Sequence, residues 1–178
     1  PYHPNGEVDK IVCGLGLGAE WRNAIYTVSL TRAPVSNGCA FTATQKPAYA
    51  QCSASSVYGN DAMGTGHGTG MLDSDQGWSA ASAQAGEWWQ MDLGSVTRLS
   101  GVVTQGRGGT RWNDQWVKSY KVAVSDDGSS WSDVDGGNVF NGNTVIGNAK
   151  VESEFASPVQ AQFVRIVVQS WYRHPTMR

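Results

Sequence analysis

Residues 88–107 read WWQMDLGSVTRLSGVVTQGR, and this stretch decides the fold. The apolar Met91 and Leu93 alternate with polar neighbours, which is the pattern of a strand with one buried face. Gly94 and Ser95 then supply a turn, after which the chain is apolar again up to a basic, glycine-punctuated loop. The stretch therefore predicts two strands, residues 88–93 and 96–104.

Short strand-like runs continue along the chain, separated by clusters of Gly, Asn, Asp and Ser. The sequence DDGS at 126–129 predicts a hairpin turn, because Asp and Gly tolerate the positive φ angles of tight turns. This alternation of short strands and turns is typical of an all-β sandwich or barrel. The further predicted strands are residues 119–125, 131–134, 149–155 and 162–169.

The composition limits the classes of function. The chain has 178 residues, of which 22 are Gly and 8 are Trp, and only 16% are charged. Its formal net charge of -2 argues against a nucleic-acid binder, because neutralising phosphates needs a clustered basic face. No stretch of the sequence approaches the ~20 apolar residues that span a bilayer. The length suits one domain with an extension.

The first 36 residues differ in character from the rest. Residues 14–18 read GLGLG, a flexible run, and residues 24–30 alternate enough to form a strand. We interpret residues 1–36 as a linker or the tail of a preceding domain, and residues 37–178 as the folded domain.

Three further stretches complete the pattern: QCSASS at 51–56, DQWVKSYKVAVSDDGSSW at 114–131 and FVRIVVQSWYRHPTMR at 163–178. With residues 88–107, they resemble the discoidin, or coagulation factor 5/8 type C, domain, and are closest in motif to its lectin-like members. The resemblance implies an all-β, discoidin-like jelly-roll β-sandwich, a distorted barrel of the galactose-binding-domain type. It also implies an extracellular binding module, secreted or at the cell surface, that is not an enzyme.

The three cysteines, Cys13, Cys39 and Cys52, leave at least one without a partner in this chain. By the resemblance, Cys52 occupies a position that the family fills with an apolar side chain, so we interpret it as a buried, unreactive thiol. Cys39 resembles the first cysteine of the family, which pairs with one just after the last strand. The sequence stops at Arg178, before that strand. The cysteine pairing stays open, and a sheet edge would be exposed.

The resemblance places the binding function on three loops at one end of the sandwich, residues 57–77, 105–116 and 169–175. Lectin-like members bind sugar hydroxyls there through an Asp, an Arg and a His. The residues of this chain that match them are Asp73, Arg107 and His174. The candidate stacking surfaces for a sugar ring are Trp112, Trp171 and Tyr172.

Structural alternatives stand beside these roles. Arg107 and Asp73 would tie the loops together as an ion pair, and His174 would be an ordinary loop residue. Trp112 lies in an insertion relative to the discoidin pattern, and it would either pack on its own domain or stack on a ligand. Three other tryptophans are predicted to lie in the core because large aromatic residues dominate burial in a sandwich. They are Trp78, Trp116 and Trp131.

The sequence also contains candidate metal ligands. Asp73 and Asp75, with backbone carbonyls of the glycine-rich loop before them, are candidate ligands for Ca²⁺, as in bacterial carbohydrate-binding relatives of the resembled fold. Two carboxylates are a weak signal, because Asp-rich turns are common without metal. The three histidines lie in no recognised catalytic context, which argues against an enzyme.

The sequence thus predicts a lectin-like adhesion module whose partners are glycans or glycoproteins. The alternative is an adhesive module that binds another extracellular protein or self-assembles, which the odd cysteine and the strand-like extension favour. Membrane binding is a weaker third hypothesis, because few lysines accompany the apolar loop residues. Those apolar residues are Met63, Met71, Leu72 and Trp112.

Overall fold

The computed structural model describes residues 44–109 and 111–178. The predicted extension 1–36, with its strand at 24–30, lies outside these residues, as do Cys13 and Cys39. Eight strands run along the described chain: β1 (Cys52–Ala54), β2 (Trp78–Ser79), β3 (Trp88–Thr104), β4 (Trp116–Ser125), β5 (Ser132–Asp133), β6 (Phe140–Asn141), β7 (Val151–Tyr172) and β8 (Thr176–Met177). Short 3₁₀ turns occupy Tyr49–Gln51, Tyr58–Asn60 and Val134–Gly137.

Every strand pairing in the described chain is antiparallel. The main sheet has the order β1-β3-β7-β4-β5, with β6 also on β4, and β2 pairs with β8 in a second sheet. The all-β prediction is confirmed, and the main sheet of the described residues is open and does not close into a barrel. No helix in the described ranges is long and apolar enough to cross a membrane.

In two places, consecutive strands that the sequence predicts separately form one long strand. Residues 88–93 and 96–104 join in β3, and the predicted turn between them is a bulge at which the register against β7 shifts between Asp92 and Thr97. Gly94 has φ +76°, which a bulge needs as much as a turn does. The predicted strands 149–155 and 162–169 likewise join in β7. Bulges of this kind bend a strand. The Tyr120 hydroxyl of β4 donates to Ser153 Oγ of β7 at 2.9 Å.

The core follows the alternation of the long strands. Tyr120, Val122 and Val168 are fully buried, and Trp78 is buried with its indole N–H donating to the Ser56 carbonyl at 2.8 Å. Cys52 is buried as predicted, and this burial raises its pKa to about 11, which keeps it an unreactive thiol.

Trp116 is buried as predicted, whereas Trp131 is only half-buried, so its predicted place in the core is wrong. The Arg165 guanidinium lies 3.8 Å from the Trp131 ring centroid and 4.0 Å from that of Trp88. Trp131 therefore covers a cation on the outer face of the sheet rather than filling the core.

We expect Gly101→Ala to destabilise the fold. A Cβ at Gly101 would overlap the Ser153 carbonyl oxygen and press on the backbone of Glu154 in the paired strand. Overpacking of this kind costs ~1–3 kcal/mol of unfolding free energy, measurable by urea unfolding. The adjacent exposed Ser100→Ala is the control, and equal stability of the two variants would contradict this register.

Candidate functional site

Gln105 hydrogen-bonds to two of the turns at the predicted binding end of the domain. Its backbone exchanges two hydrogen bonds with Arg178, at 2.8 and 2.9 Å, which join the residue after β3 to the residue after β8. Its buried side-chain amide accepts from the Asp73 N–H at 2.8 Å and donates to Asp73 Oδ1 at 3.2 Å and to the Asn148 carbonyl at 2.7 Å. One amide thus fixes both the 73–75 turn and the 147–148 turn.

The Arg178 side chain completes this anchor. Its guanidinium is buried and donates to the Gly106 carbonyl at 2.7 Å, the Ser74 carbonyl at 2.9 Å and Asn148 Oδ1 at 2.8 Å. Burial lowers the pKa of this guanidinium, and the nearby charge of Asp73 opposes that shift. The 74–76 turn therefore packs directly on Gly108, where a Cβ would lie 2.7 Å from the Ser74 and Asp75 carbonyl oxygens.

Arg107, the predicted sugar-binding arginine, is 8% exposed. Its Nη1 donates to Gln115 Oε1 at 2.6 Å. The Gln76 side-chain amide satisfies its hydrogen bonds when its oxygen points to Arg107. In this orientation the oxygen accepts from Arg107 Nη2 at 2.7 Å. The buried Nε of Arg107 has no hydrogen-bond partner among the described residues. Burial lowers the pKa of Arg107. The alternative of an Arg107–Asp73 ion pair is wrong, since amide oxygens hold the guanidinium.

Gln76 also connects Arg107 to a chain of hydrogen-bonded side chains. Its oxygen also accepts from His67 Nε2 at 3.1 Å, and His67 Nδ1 lies 2.8 Å from Asp61 Oδ2. The His67 backbone N–H and ring hold the pKa of Asp61 below its usual value. The Tyr58 ring lies 4.9 Å from that of His67 and 5.8 Å from that of His174.

His174 belongs to this group of side chains only through Tyr58. Its Nε2 lies 2.8 Å from the Ala80 carbonyl, so one ring nitrogen already has a structural partner. We call Tyr58, His67, Gln76, Arg107 and Gln115 the Arg107 cluster. The sequence resemblance pointed to Arg107 but missed the other four. Two neutral amides and a tyrosine in a glycine-rich loop carry no motif, and His67 has no visible partner in the sequence.

Asp73 has different side-chain partners from Arg107. Its Oδ2 accepts from Lys150 at 2.8 Å and from Lys46 at 3.3 Å. These contacts, the Lys150 hydrogen bond first, lower the pKa of Asp73 to about 2. Asp73 and Asp75 both line an open cleft of about 500 Å³ beside Tyr49 and Gln76. Within the described ranges no three His, Cys, Asp or Glu side chains are grouped for a metal ion, and calcium at Asp73 and Asp75 stays a prediction.

The predicted stacking residues occupy two environments. Trp112 is 52% exposed at φ +63°, with the Arg111 guanidinium 5.6 Å from its ring centroid. Tyr172 is 43% exposed and stacks on Trp116 at 4.5 Å. By contrast, Trp171 is half-buried and packs against the hydrophobic core.

Trp112 lies in the loop before β4, Tyr172 is the last residue of β7, and an ion pair joins the segments beside them. Arg173 Nη1 lies 2.9 Å from Asp114 Oδ2, and its guanidinium is 5.7 Å from the Tyr172 centroid. We call Arg111, Trp112, Tyr172 and Arg173 the aromatic ridge. It offers flat apolar surface with two cations beside it.

Replacing Gln105 by Leu should loosen the loop end. The change removes three partly buried side-chain hydrogen bonds and leaves the Asp73 N–H without its acceptor. We expect a loss of ~2–3 kcal/mol in unfolding free energy, measured by urea unfolding. Gln160→Leu, at an exposed position of β7, is the control, and a similarly small effect of both changes would contradict the anchoring role.

Asp73 should make stability depend on pH only in acid. Because its folded pKa, about 2, lies below its ordinary value of 3.8, its contribution is fully present above pH 3.8. That contribution is lost as the pH falls through about 2. The difference in urea midpoint between the wild type and Asp73→Asn should therefore vanish in strong acid. Lys150→Met should give the same profile, and a difference that persists unchanged at pH 2 would contradict the pairing.

Comparison with known proteins agrees with this architecture. The family model of the F5/8 type C domain matches residues 51–178. Lactadherin from Sus scrofa is 40% identical over 106 residues, which cover 57% of this chain and 25% of that protein. The chain thus spans about a quarter of the length of the curated relatives it matches.

Solved structures share the fold at low sequence identity. Discoidin II from Dictyostelium discoideum has a TM-score of 0.55 and 23% identity over 71% of this chain and 51% of that chain. A family 32 CBM from C. perfringens, in complex with galactose, has a TM-score of 0.51 and 15% identity over 71% of this chain and 92% of that chain. The chain belongs to the F5/8 type C domain family, and its fold is the discoidin-like jelly-roll sandwich that its sequence predicted.

Proposed function

We propose that this domain binds a saccharide at the Arg107 cluster, as an extracellular, non-catalytic adhesion module. The observation that carries the proposal is a buried arginine held by two amide oxygens, with part of its donor capacity unused, beside aromatic rings at a loop end.

The chemistry of the cluster suits sugar hydroxyls. A guanidinium has five N–H groups in a fixed plane, and Gln76 and Gln115 engage one on each terminal nitrogen. The remaining N–H groups match neighbouring hydroxyl oxygens of a ring, and planar donors give orientation as well as affinity. Tyr58 is 51% exposed and offers an apolar face for the C–H surface of a sugar. One structural neighbour holds galactose, which supports the class of ligand but not the position of the site.

Purified protein on a glycan array, followed by calorimetry with the best ligand, tests the proposal. We expect Arg107→Ala to weaken binding by at least about tenfold, since a charge-assisted donor is lost. Arg98→Ala, an exposed arginine of β3, should bind as the wild type does. Binding that survives Arg107→Ala unchanged would contradict the site, and repeating the array with chelator tests the calcium proposal at Asp73 and Asp75.

The aromatic ridge supports a second candidate, binding of an extracellular protein. Trp, Tyr and Arg are the residue types that contribute most to protein interfaces, and all four ridge residues are exposed. A Trp112→Ala and Tyr172→Ala double variant should lose adhesion to cells or matrix while keeping saccharide binding. If that variant keeps full adhesion, the ridge is not a protein-binding surface.

A further inference from the structure

At the loop end, most acidic side chains contact a basic side chain, whereas the buried Arg107 contacts no acidic one among the described residues. Among the acidic residues there, Asp61 contacts His67, Asp73 contacts Lys46 and Lys150, and Asp114 contacts Arg173. Asp75 is exposed in the cleft beside Asp73. In the part of the chain that the structure describes, no carboxylate pairs with the buried Arg107. Its neighbours Gln76 and Gln115 satisfy hydrogen bonds but bring no negative charge.

A second buried cation adds to this imbalance. Arg178 donates to the backbone carbonyls of Gly106, Ser74 and Gly147 and to Asn148 Oδ1. A Cβ at Gly108 would come 2.8 Å from Arg178 Nη1 and 2.7 Å from the Ser74 carbonyl oxygen, so the guanidinium lies on the same side of Gly108 as the 74–75 turn. Asp73, the acid whose charge acts on this guanidinium, also contacts two lysines. The Gly106–Gly108 segment thus has two buried guanidinium groups, of Arg107 and Arg178, with little compensating charge.

Burying a cation without an anion is costly, and an incoming anion recovers that cost because the low dielectric strengthens the pair. Arg107 also keeps one enclosed N–H with no acceptor in the described chain. A neutral ligand would leave the charge of Arg107 unmatched. A carboxylate would match both its charge and its planar geometry.

We infer that the ligand of the Arg107 cluster is an acidic saccharide, whose carboxylate lies against the Arg107 guanidinium. The inference deepens the proposed saccharide-binding function and rests on it. It specifies a uronic-acid type of sugar in preference to the neutral sugar of the same configuration.

The test compares matched pairs by calorimetry at pH 7: methyl galactoside with methyl galacturonoside, and methyl glucoside with methyl glucuronoside. We expect the acid of at least one pair to bind about tenfold tighter than its neutral partner and to weaken as NaCl is raised. Arg107→Gln should abolish the preference, while Arg98→Gln should keep it. The wild-type comparison decides the inference even if Arg107→Gln fails to fold.

The outcomes separate the two proposals. Binding of neutral and acidic partners with equal affinity would overturn the acidic preference and leave the saccharide function standing. Failure of every saccharide would defeat both. Phosphatidylserine vesicles form a third arm: sedimentation with them that Arg107→Gln abolishes, without any uronate binding, would show an anionic lipid surface as the ligand and overturn the inference.

Discussion

The mutual backbone hydrogen bonds of Gln105 and Arg178 are the constraint on which the loop end depends. They join the end of β3 to the end of β8, and the two buried side chains then reach outward to the 73–75 and 147–148 turns. A loop that is held by buried side-chain hydrogen bonds keeps one conformation, because releasing it would leave polar groups unpaired. The loops that we propose bind a saccharide are therefore held in one conformation by two residues outside the Arg107 cluster.

That preorganisation explains how Arg107 can be buried beside neutral amides. The Arg107 N–H donates to the Gln115 carbonyl at 3.0 Å, and the Gly108 N–H donates to the Gln76 carbonyl at 2.6 Å, so the backbone on both sides is fixed before the guanidinium is placed. The side-chain amides of Gln76 and Gln115 then orient the Arg107 guanidinium without neutralising its charge. In the proposed site the hydrogen-bond donors are already in position, and no carboxylate of the described residues pairs with the positive charge of Arg107. This combination favours a negatively charged ligand that accepts hydrogen bonds.

The sequence predicted the strands well where alternation marks a buried face, as in Met91 and Leu93, and it predicted the burial of Trp78 and Cys52. It could not distinguish a bulge from a turn at Gly94, because both need the same backbone conformation and only the pairing with β7 decides between them. The partners of Asp73 were equally hidden, since Lys150 lies 77 residues away in the sequence. The resemblance pointed to Arg107, whereas the amides that position Arg107 have no sequence signature.

The most direct measurement is the Nε–H resonance of Arg107 in a ¹H–¹⁵N NMR titration with the uronate that binds best. The account predicts that this resonance shifts with the same saturation curve as the calorimetric heat, while the Arg98 resonance stays in place. A saccharide that binds with the Arg107 resonance unmoved would contradict the central claim, because the ligand would then occupy a site other than the Arg107 cluster.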